Sequence, residues 1–333
     1  MNLRTLLSNS MKPLIIGHQN ADPDAVCSML AFSRLYKSIN PEGTFTLMAD
    51  DLSRLSKQVL DIFDLKDPIL EKPGTDFDLI ILLDTNSRFQ LGTDFQDIPT
   101  DPSKTIVIDH HEPNPDINSI ADHRFVRSDR FSTCEILVDI FEEMNIGIDP
   151  NIASLLFTGI LFDTRRFFYT DLHTFQICIK LLNYGADYEK CVKSLQIVPD
   201  RSERIARLKA ASIARVHLFG DWVIVTSTIN AFEASACRGL IEMGADVAII
   251  GGKPGKGKVR LSSRSSREFY EKTNINLGTD VMEPLGTIIE GKGGGHANAA
   301  GANGTKNLSE ALDKAIELIR VAVETKTDSA KES

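Results

Sequence analysis

Short apolar runs that stop abruptly at polar residues set the rhythm of the first half of the chain. Leu14-Ile15-Ile16-Gly17 runs into His18, Asp22 and Asp24, Leu79 to Leu83 runs into Asp84, and Ile106-Val107-Ile108 runs into Asp109, His110, His111 and Glu112. Runs of this length bounded by polar residues read as buried parallel strands. Between them lie segments of helical period, Ala25 to Tyr36 and Arg54 to Phe63, and a further strand at Phe45 to Met48. Such alternation predicts an α/β fold with a parallel sheet covered by helices on both faces. Ligand chemistry in these sheets collects at the carboxyl ends of the strands. A single aspartate there is as readily a helix cap or a turn residue. Three strand ends that all meet carboxylates and imidazoles mark a candidate site.

Past Asp109 the pattern turns helical. Ser132 or Thr133 with Glu135 opens a helix over Ile136 to Met144, Asp149-Pro150 opens one carrying Ala153 to Phe162, and Leu172 to Tyr184 stops at Gly185. Between Pro199 and Arg215 the composition shifts to Arg, Glu, Lys and Ala, which reads as a solvated helical linker. A second, smaller α/β pattern follows: strands at Trp222 to Ser227, Val247 to Ile250 and Val259 to Ser262, and helices at Ala234 to Met243 and Leu308 to Val323. The expected organisation is a catalytic domain over 1–195, a linker over 196–215, a substrate-binding domain over 216–325 and a disordered tail over 326–333, with the active-site cleft between the domains.

The bulk numbers narrow the chemistry. The 333 residues suffice for two domains, and 42% hydrophobic with 25% charged residues is globular. A formal net charge of -9 leaves no general basic surface for a long nucleic acid, so any such substrate is expected to be short. The five cysteines, scattered and without a Cys-x-x-Cys pair, read as reduced thiols of a cytoplasmic protein. No apolar run is long enough for a bilayer, and Met1 to Lys12 lacks the apolar core of a signal peptide.

His18, Asp22, Asp24, Asp84, His110 and Asp163 together offer two imidazoles and four carboxylates. Carboxylates so crowded need protons or a cation. Oxygen-rich donors with some imidazole and no thiolate suit Mn2+ or Mg2+, the nitrogens favouring Mn2+. Six ligands exceed the needs of one ion, so two ions are expected, an arrangement suited to phosphoryl transfer. Asp163 taken alone reads first as a helix cap, and Arg165 and Arg166 after it as phosphate ligands or surface ion pairs. Downstream, Gly293-Gly294-Gly295-His296 exposes backbone N–H groups that suit an anion. A basic segment of Lys253, Lys256, Lys258, Arg260, Arg264 and Arg267 precedes it. Arg264 is the preferred phosphate contact because its guanidinium fork binds phosphate bidentately, while Lys253 to Lys258 is expected to form a mobile loop. His123, His173 and His217 fit no constellation and read as surface or packing residues.

The set His18-x-Asn20-x-Asp22-x-Asp24, Asp84, Asp109-His110-His111, Asp163 and Gly293-Gly-Gly-His296 resembles the DHH phosphoesterase superfamily, in particular members with a DHH-associated domain of the first type. The resemblance covers about nine-tenths of the chain. It implies that His18, Asp22 and Asp84 hold one metal, that Asp24, Asp84, His110 and Asp163 hold the other, and that Asp84 bridges. It implies Mn2+, with Mg2+ or Co2+ as substitutes. His110, His111 and Asp84 would stand nearest the chemistry, with Arg264, His296, Gly294 and Gly295 on the substrate. The Cys27-Ser28 ending of the first motif is closer to the manganese inorganic pyrophosphatases of the same superfamily than to its nucleases.

The function expected from this resemblance is hydrolysis of short oligonucleotides, nucleotide bisphosphates or small dinucleotides, as in nanoRNases and 3'-phosphoadenosine 5'-phosphate phosphatases. A RecJ-type exonuclease on long single strands would need aromatic stacking platforms, for which 7% aromatics and the single Trp222 offer little. The glycine-histidine motif disfavours a pyrophosphatase, and a non-catalytic nucleotide-binding scaffold would be expected to have lost ligands. No membrane partner is expected; a homodimer is allowed but not required.

Overall fold

Every strand of the first sheet runs parallel to its neighbours, in the order β3-β2-β1-β4-β5-β6. In this computed structural model the chain divides into two units, 1–197 and 198–333, and residues 2–66, 68–70, 76–196 and 198–329 are described. The first unit runs α1 (Leu3–Asn9), β1 (Pro13–Ile16), α2 (Pro23–Ile39), β2 (Thr46–Met48), α3 (Arg54–Ile62), β3 (Ile69–Leu70), β4 (Leu79–Leu83), β5 (Thr105–Asp109), α4 (Ile117–Ile120) and β6 (His123–Val126). It continues through α5 (Thr133–Glu143), α6 (Pro150–Asp163), α7 (Leu172–Asn183) and α8 (Tyr188–Ser194). The strand order reverses direction between β1 and β4, which opens a crevice at their carboxyl ends.

Strand alternation sends Ile15, Ile81, Leu83, Ile106 and Ile108 into a core shared with α1–α3 and α5–α8, and Leu14, Ile16, Ile80, Leu82 and Val107 into a smaller core on the other face. Helices were expected on both faces. The second face is instead closed by loops and the short α4, which supply Leu91, Phe95, Ile117 and Ile120. Gly92, Pro99, Pro102, Pro113 and Pro115 punctuate that stretch and prevent a long helix.

The second unit holds α9 (Arg201–Ser212), β7 (Arg215–Phe219), β8 (Trp222–Thr228), α10 (Glu233–Glu242), β9 (Val247–Gly255), β10 (Lys258–Ser265), α11 (Arg267–Thr273), a π-helical turn (Leu277–Met282), α12 (Glu283–Ile288), β11 (Lys292–His296), β12 (Ala299–Gly304) and α13 (Leu308–Ser329). Its sheet is mixed, β11-β12-β10-β9-β8-β7, with only β8 and β9 parallel. α9 and α10 pack on one face; α11, the π-helical turn, α12 and α13 pack on the other.

Four details differ from the sequence reading. The stretch read as a helical linker between domains is indeed helical, α9, but it groups with the second unit, where Arg207 Nε donates to Ser235 Oγ at 2.8 Å. Lys253 to Lys258 is not a loop but a tight β9-β10 hairpin, with Lys258 paired to Gly255 and Gly257 at φ 63°. The glycine run, read as exposed backbone, is the edge strand β11. The last helix continues past Val323 to Ser329; of the expected tail, 330–333 lie outside the described residues.

Candidate metal centre

The crevice is furnished from three strand ends and two helix ends. After β1, Asp22 caps α2: its Oδ1 accepts from the Asp24 and Ala25 amides at 3.0 and 3.1 Å, and Pro23 fills the first helical position, where no N–H is needed. Its Oδ2 lies 3.8 Å from His18 Nε2, so one carboxylate serves as helix cap and as site residue. After β4, Asp84 takes a left-handed conformation at φ 61° while its amide donates to Ile108 O at 3.1 Å, which carries the β4-β5 pairing one residue further. An L-residue adopts this conformation at a cost of about 1–2 kcal/mol, and it turns the carboxylate into the crevice.

Asp84 is the hub. Its Oδ2 lies 3.7 Å from His18 Nε2; its Oδ1 lies 3.4 Å from His110 Nε2 and 2.8 Å from the Thr133 hydroxyl, which donates to it. Asp24 is fully buried and accepts the amides of Thr133 at 2.7 Å and Cys134 at 3.2 Å, the first two N–H groups of α5, where the helix dipole favours an anion. Room for it depends on Gly159 of α6, where a Cβ would stand 2.6 Å from Asp24 Oδ1 and 2.3 Å from Cys134 Sγ. Asp163, the last residue of α6, brings its Oδ2 to 3.0 Å from His110 Nε2.

Among the described residues three donor sets emerge, each with one atom per residue within 4.8 Å of the others: His18, Asp22 and Asp84; Asp24, Asp84, His110 and Asp163; and Asp84, His110 and His111. All six residues expected to bind metal are thereby brought together. His111 is half-exposed and turns its Nδ1 to Asp109 at 2.8 Å. An open depression of about 340 Å3, bounded by His18, Asp22, Asp84, Gln90 and His111, gives access.

The sequence reading missed Asn86, Thr133, Gln90 and Gly159. Asn86 Nδ2 donates to Asp109 Oδ2 and to the Glu112 carbonyl, fixing the strand end from below. Gln90 Oε1 accepts from the Thr85 hydroxyl at 2.8 Å. Thr133 carries a partial signal, since Ser132 or Thr133 with Glu135 reads as a helix start. Arg166 donates to the Leu195 carbonyl at 3.1 Å, and Arg165 stacks over the Tyr169 ring at 5.3 Å.

The charges conflict as the sequence implied. Burial disfavours a charged His18, yet the nearby Asp22 carboxylate and the charge of Asp84 outweigh it and lift its pKa to about 9. Burial disfavours a charged His110 too, yet the Asp163 carboxylate 3.0 Å from its Nε2 and the charges of Asp24 and Asp84 drive its pKa up to about 10. Burial, then the charges of Asp22 and Asp163, raises Asp84 to about 7, and burial with Asp84 and Asp163 pushes Asp24 well above the usual carboxylate range. Bonding to Asp109 raises His111.

The donors fit a divalent ion. His110 Nε2 is buried and makes no hydrogen bond of acceptable geometry, although three carboxylates converge on it. A polar atom left so is costly unless another partner takes it. Oxygen-rich donors with imidazole and no thiolate select a hard or borderline divalent cation.

In the second unit the register sets Arg264 of β10 and His296 of β11 opposite the same residue, Ala299 of β12. Directly opposed residues point to one face, so the two share a row across the sheet. Gly293 and Gly295 are explained by packing: a Cβ would fall 1.7 Å from the Met282 carbonyl oxygen at the first and 2.6 Å from Ala300 Cα at the second, while Gly294 faces open space.

Carboxylates and imidazoles gathered on one aspartate at the carboxyl ends of a parallel sheet are the furniture of a metal-dependent hydrolase. The chain belongs to the DHH phosphoesterase superfamily: residues 12–160 match the DHH family, N-terminal domain, and residues 228–325 the DHHA1 domain. It is 33% identical over 304 residues to an uncharacterized protein of Methanocaldococcus jannaschii, covering 91% of this chain and 90% of that one. A probable bifunctional oligoribonuclease and PAP phosphatase of Streptococcus mutans is 30% identical over 199 residues, 59% of each chain. A probable manganese-dependent inorganic pyrophosphatase of Bacillus cytotoxicus is 29% identical over 158 residues, 47% of this chain and 49% of that one. No helix among the described residues is long and apolar enough to cross a membrane.

Proposed function

We propose that the protein is a manganese-dependent phosphoesterase for short oligonucleotides, nucleotide bisphosphates or small dinucleotides. The observation that carries this reading is the sharing of Asp84 by all three donor sets, which would let one buried carboxylate serve more than one ion. His18, Asp22 and Asp84 would hold one ion; Asp24, Asp84, His110 and Asp163 would hold the other. When bound, divalent metal supplies Lewis acidity at the phosphoryl group and makes a water acidic enough to attack.

The chain's own groups do the rest. Thr133 orients Asp84 through its hydroxyl, and the α5 amides hold Asp24 in place. His111, tied to Asp109 and half-exposed, is placed to meet a substrate phosphate or a departing oxygen with a proton. Arg264 and His296 are the proposed phosphate ligands of the second unit, with Gly294 and Gly295 as the neighbouring backbone. A net charge of -9 favours small substrates over long strands, and the Streptococcus mutans relative supports the same class. The five cysteines, all buried and unpaired, suit the cytoplasm.

The test is hydrolysis, with Mn2+, of a matched panel: a dinucleotide, a five-nucleotide RNA, a long single-stranded DNA, 3'-phosphoadenosine 5'-phosphate, a cyclic dinucleotide and pyrophosphate, with Asp84→Ala as the blank. Turnover of short nucleotides, abolished in the variant, is expected. Preference for the long strand or for pyrophosphate would replace the reading, and no turnover at all would point to a scaffold.

A further inference from the structure

The face of the second sheet beneath α13 is apolar along most of its length, where Ile224, Ile249 and Leu261 meet Ala311, Ala315 and Ile319. Near the start of α13 the floor changes character. Beside Ile224 the row continues into Thr226 and Thr228 of β8, and on the edge strand β7 His217 is paired with Ile224 and Arg215 with Thr226. Polar residues beneath a helix, where the rest of the face is apolar, are the informative exception. A groove of about 450 Å3 lies over them, closed on one side by Leu308, Leu312 and Ile316 and at one end by Lys253. That volume falls within the range of small-ligand pockets, about 300–1,000 Å3.

The two walls differ in chemistry. Leu308, Leu312 and Ile316 follow one another at i, i+4 and i+8 and form a flat apolar ridge on one helix face. The polar lining includes a guanidinium and an ammonium, Arg215 and Lys253, which make no side-chain hydrogen bond or ion pair among the described residues. Asp313 is the one acidic residue of the lining among the described residues. Burial, and then the charge of Arg215, lowers the pKa of His217, whose ring sits 3.2 Å from the Thr226 hydroxyl. The ring is therefore neutral near pH 7, and the groove carries a net charge of one positive unit.

We propose that this groove binds a nucleoside monophosphate, its phosphate on Arg215 and Lys253 and its base laid along the ridge of α13. A guanidinium fork and an ammonium lining one groove suit a phosphate dianion, and a planar base of moderate polarity suits a ridge of three aliphatic side chains. The Thr228 hydroxyl and the His217 ring offer neutral hydrogen-bonding groups for the sugar or the base. The groove shares no residue with the Asp84 cluster or with the Arg264 and His296 row, so it is a second site whatever the first one hydrolyses.

Adenosine monophosphate is the probe. Calorimetric titration uses the full chain carrying Asp84→Asn and Arg264→Gln, with a chelator present, so that neither the metal cluster nor the Arg264 row captures the ligand. Saturable one-site binding is expected, and Arg215→Gln with Lys253→Gln, both exposed positions, should weaken it about tenfold or more. Asp313→Asn, which removes the opposing charge, should tighten it about threefold, so the proposal does not depend on loss variants alone. Adenosine and inorganic phosphate should each bind more weakly than the nucleotide. Absence of saturation, indifference to both substitutions, or phosphate binding as tightly as the nucleotide would overturn the assignment.

Discussion

The Thr133 hydroxyl donates to Asp84 while the Thr133 amide donates to Asp24, so one side chain and its own backbone fix two of the six donors. Partners of this kind typically set metal affinity by about ten- to a hundredfold. Thr133→Val keeps the shape and removes the hydroxyl; Mn2+ affinity by calorimetry should fall about tenfold, and an unchanged affinity would remove Thr133 from the site. Gly159 acts by what it lacks. Gly159→Ala would drive a methyl into Cys134 Sγ and Asp24 Oδ1, and should cost about 1–3 kcal/mol in a denaturant titration, whereas Gly147→Ala, with open space around it, should cost little. The donors themselves were legible because each stands where an apolar run ends. Thr133 and Gly159 were not, because their meaning lies in residues far along the chain: Thr133 is 109 positions from Asp24 and 49 from Asp84.

α5 meets α7 at a buried carboxyl group: Glu135 is fully buried, its Oε1 accepts from the Thr174 hydroxyl at 3.0 Å, and its Oε2 has no hydrogen-bond partner among the described residues. Burial raises its pKa from 4.5 to about 7, the Thr174 bond opposing. The protonated form is therefore the one the fold favours. Stability from it is complete below about 4.5 and is lost as pH climbs through about 7, by about 3 kcal/mol in all. Glu135→Gln keeps the bond without the charge, so its melting temperature should exceed the parent's at pH 8 and match it at pH 5; the same gap at both would rule the carboxyl out. The β11-β12 hairpin teaches the limit of pattern reading. A glycine run looks the same whether it frees backbone N–H groups or admits a neighbouring backbone, and Gly293 does the latter against Met282. Gly293→Ala should lower the unfolding midpoint reported by Trp222, the sole tryptophan, which stands edge-on to Phe269 in the same unit. An unshifted midpoint would return the glycine to a role in anion binding alone.

A chain of net charge -9 that gathers four carboxylates in one crevice must neutralise them with protons when metal is absent. His18 near 9, His110 near 10 and Asp84 near 7 all lie above their ordinary values, so at pH 7 the rings are protonated and Asp84 is partly so. Raised pKa values stabilise the metal-free fold below 3.8 for the carboxyl and 6.5 for the rings, and that contribution fades as pH rises through 7 and then 9 to 10. Metal requires the opposite state, neutral imidazole and free carboxylate, so each ion bound must expel protons. Apparent affinity should then climb with pH, by up to about tenfold per unit for each proton displaced, until the rings are deprotonated. Mn2+ titrations at pH 7 in buffers of different ionisation enthalpy count those protons directly. We expect about one or more released per ion. None released, with affinity flat from pH 6 to 9, would mean that the crevice does not hold the ion through these imidazoles, and the assignment of His18 and His110 as ligands would fall with it.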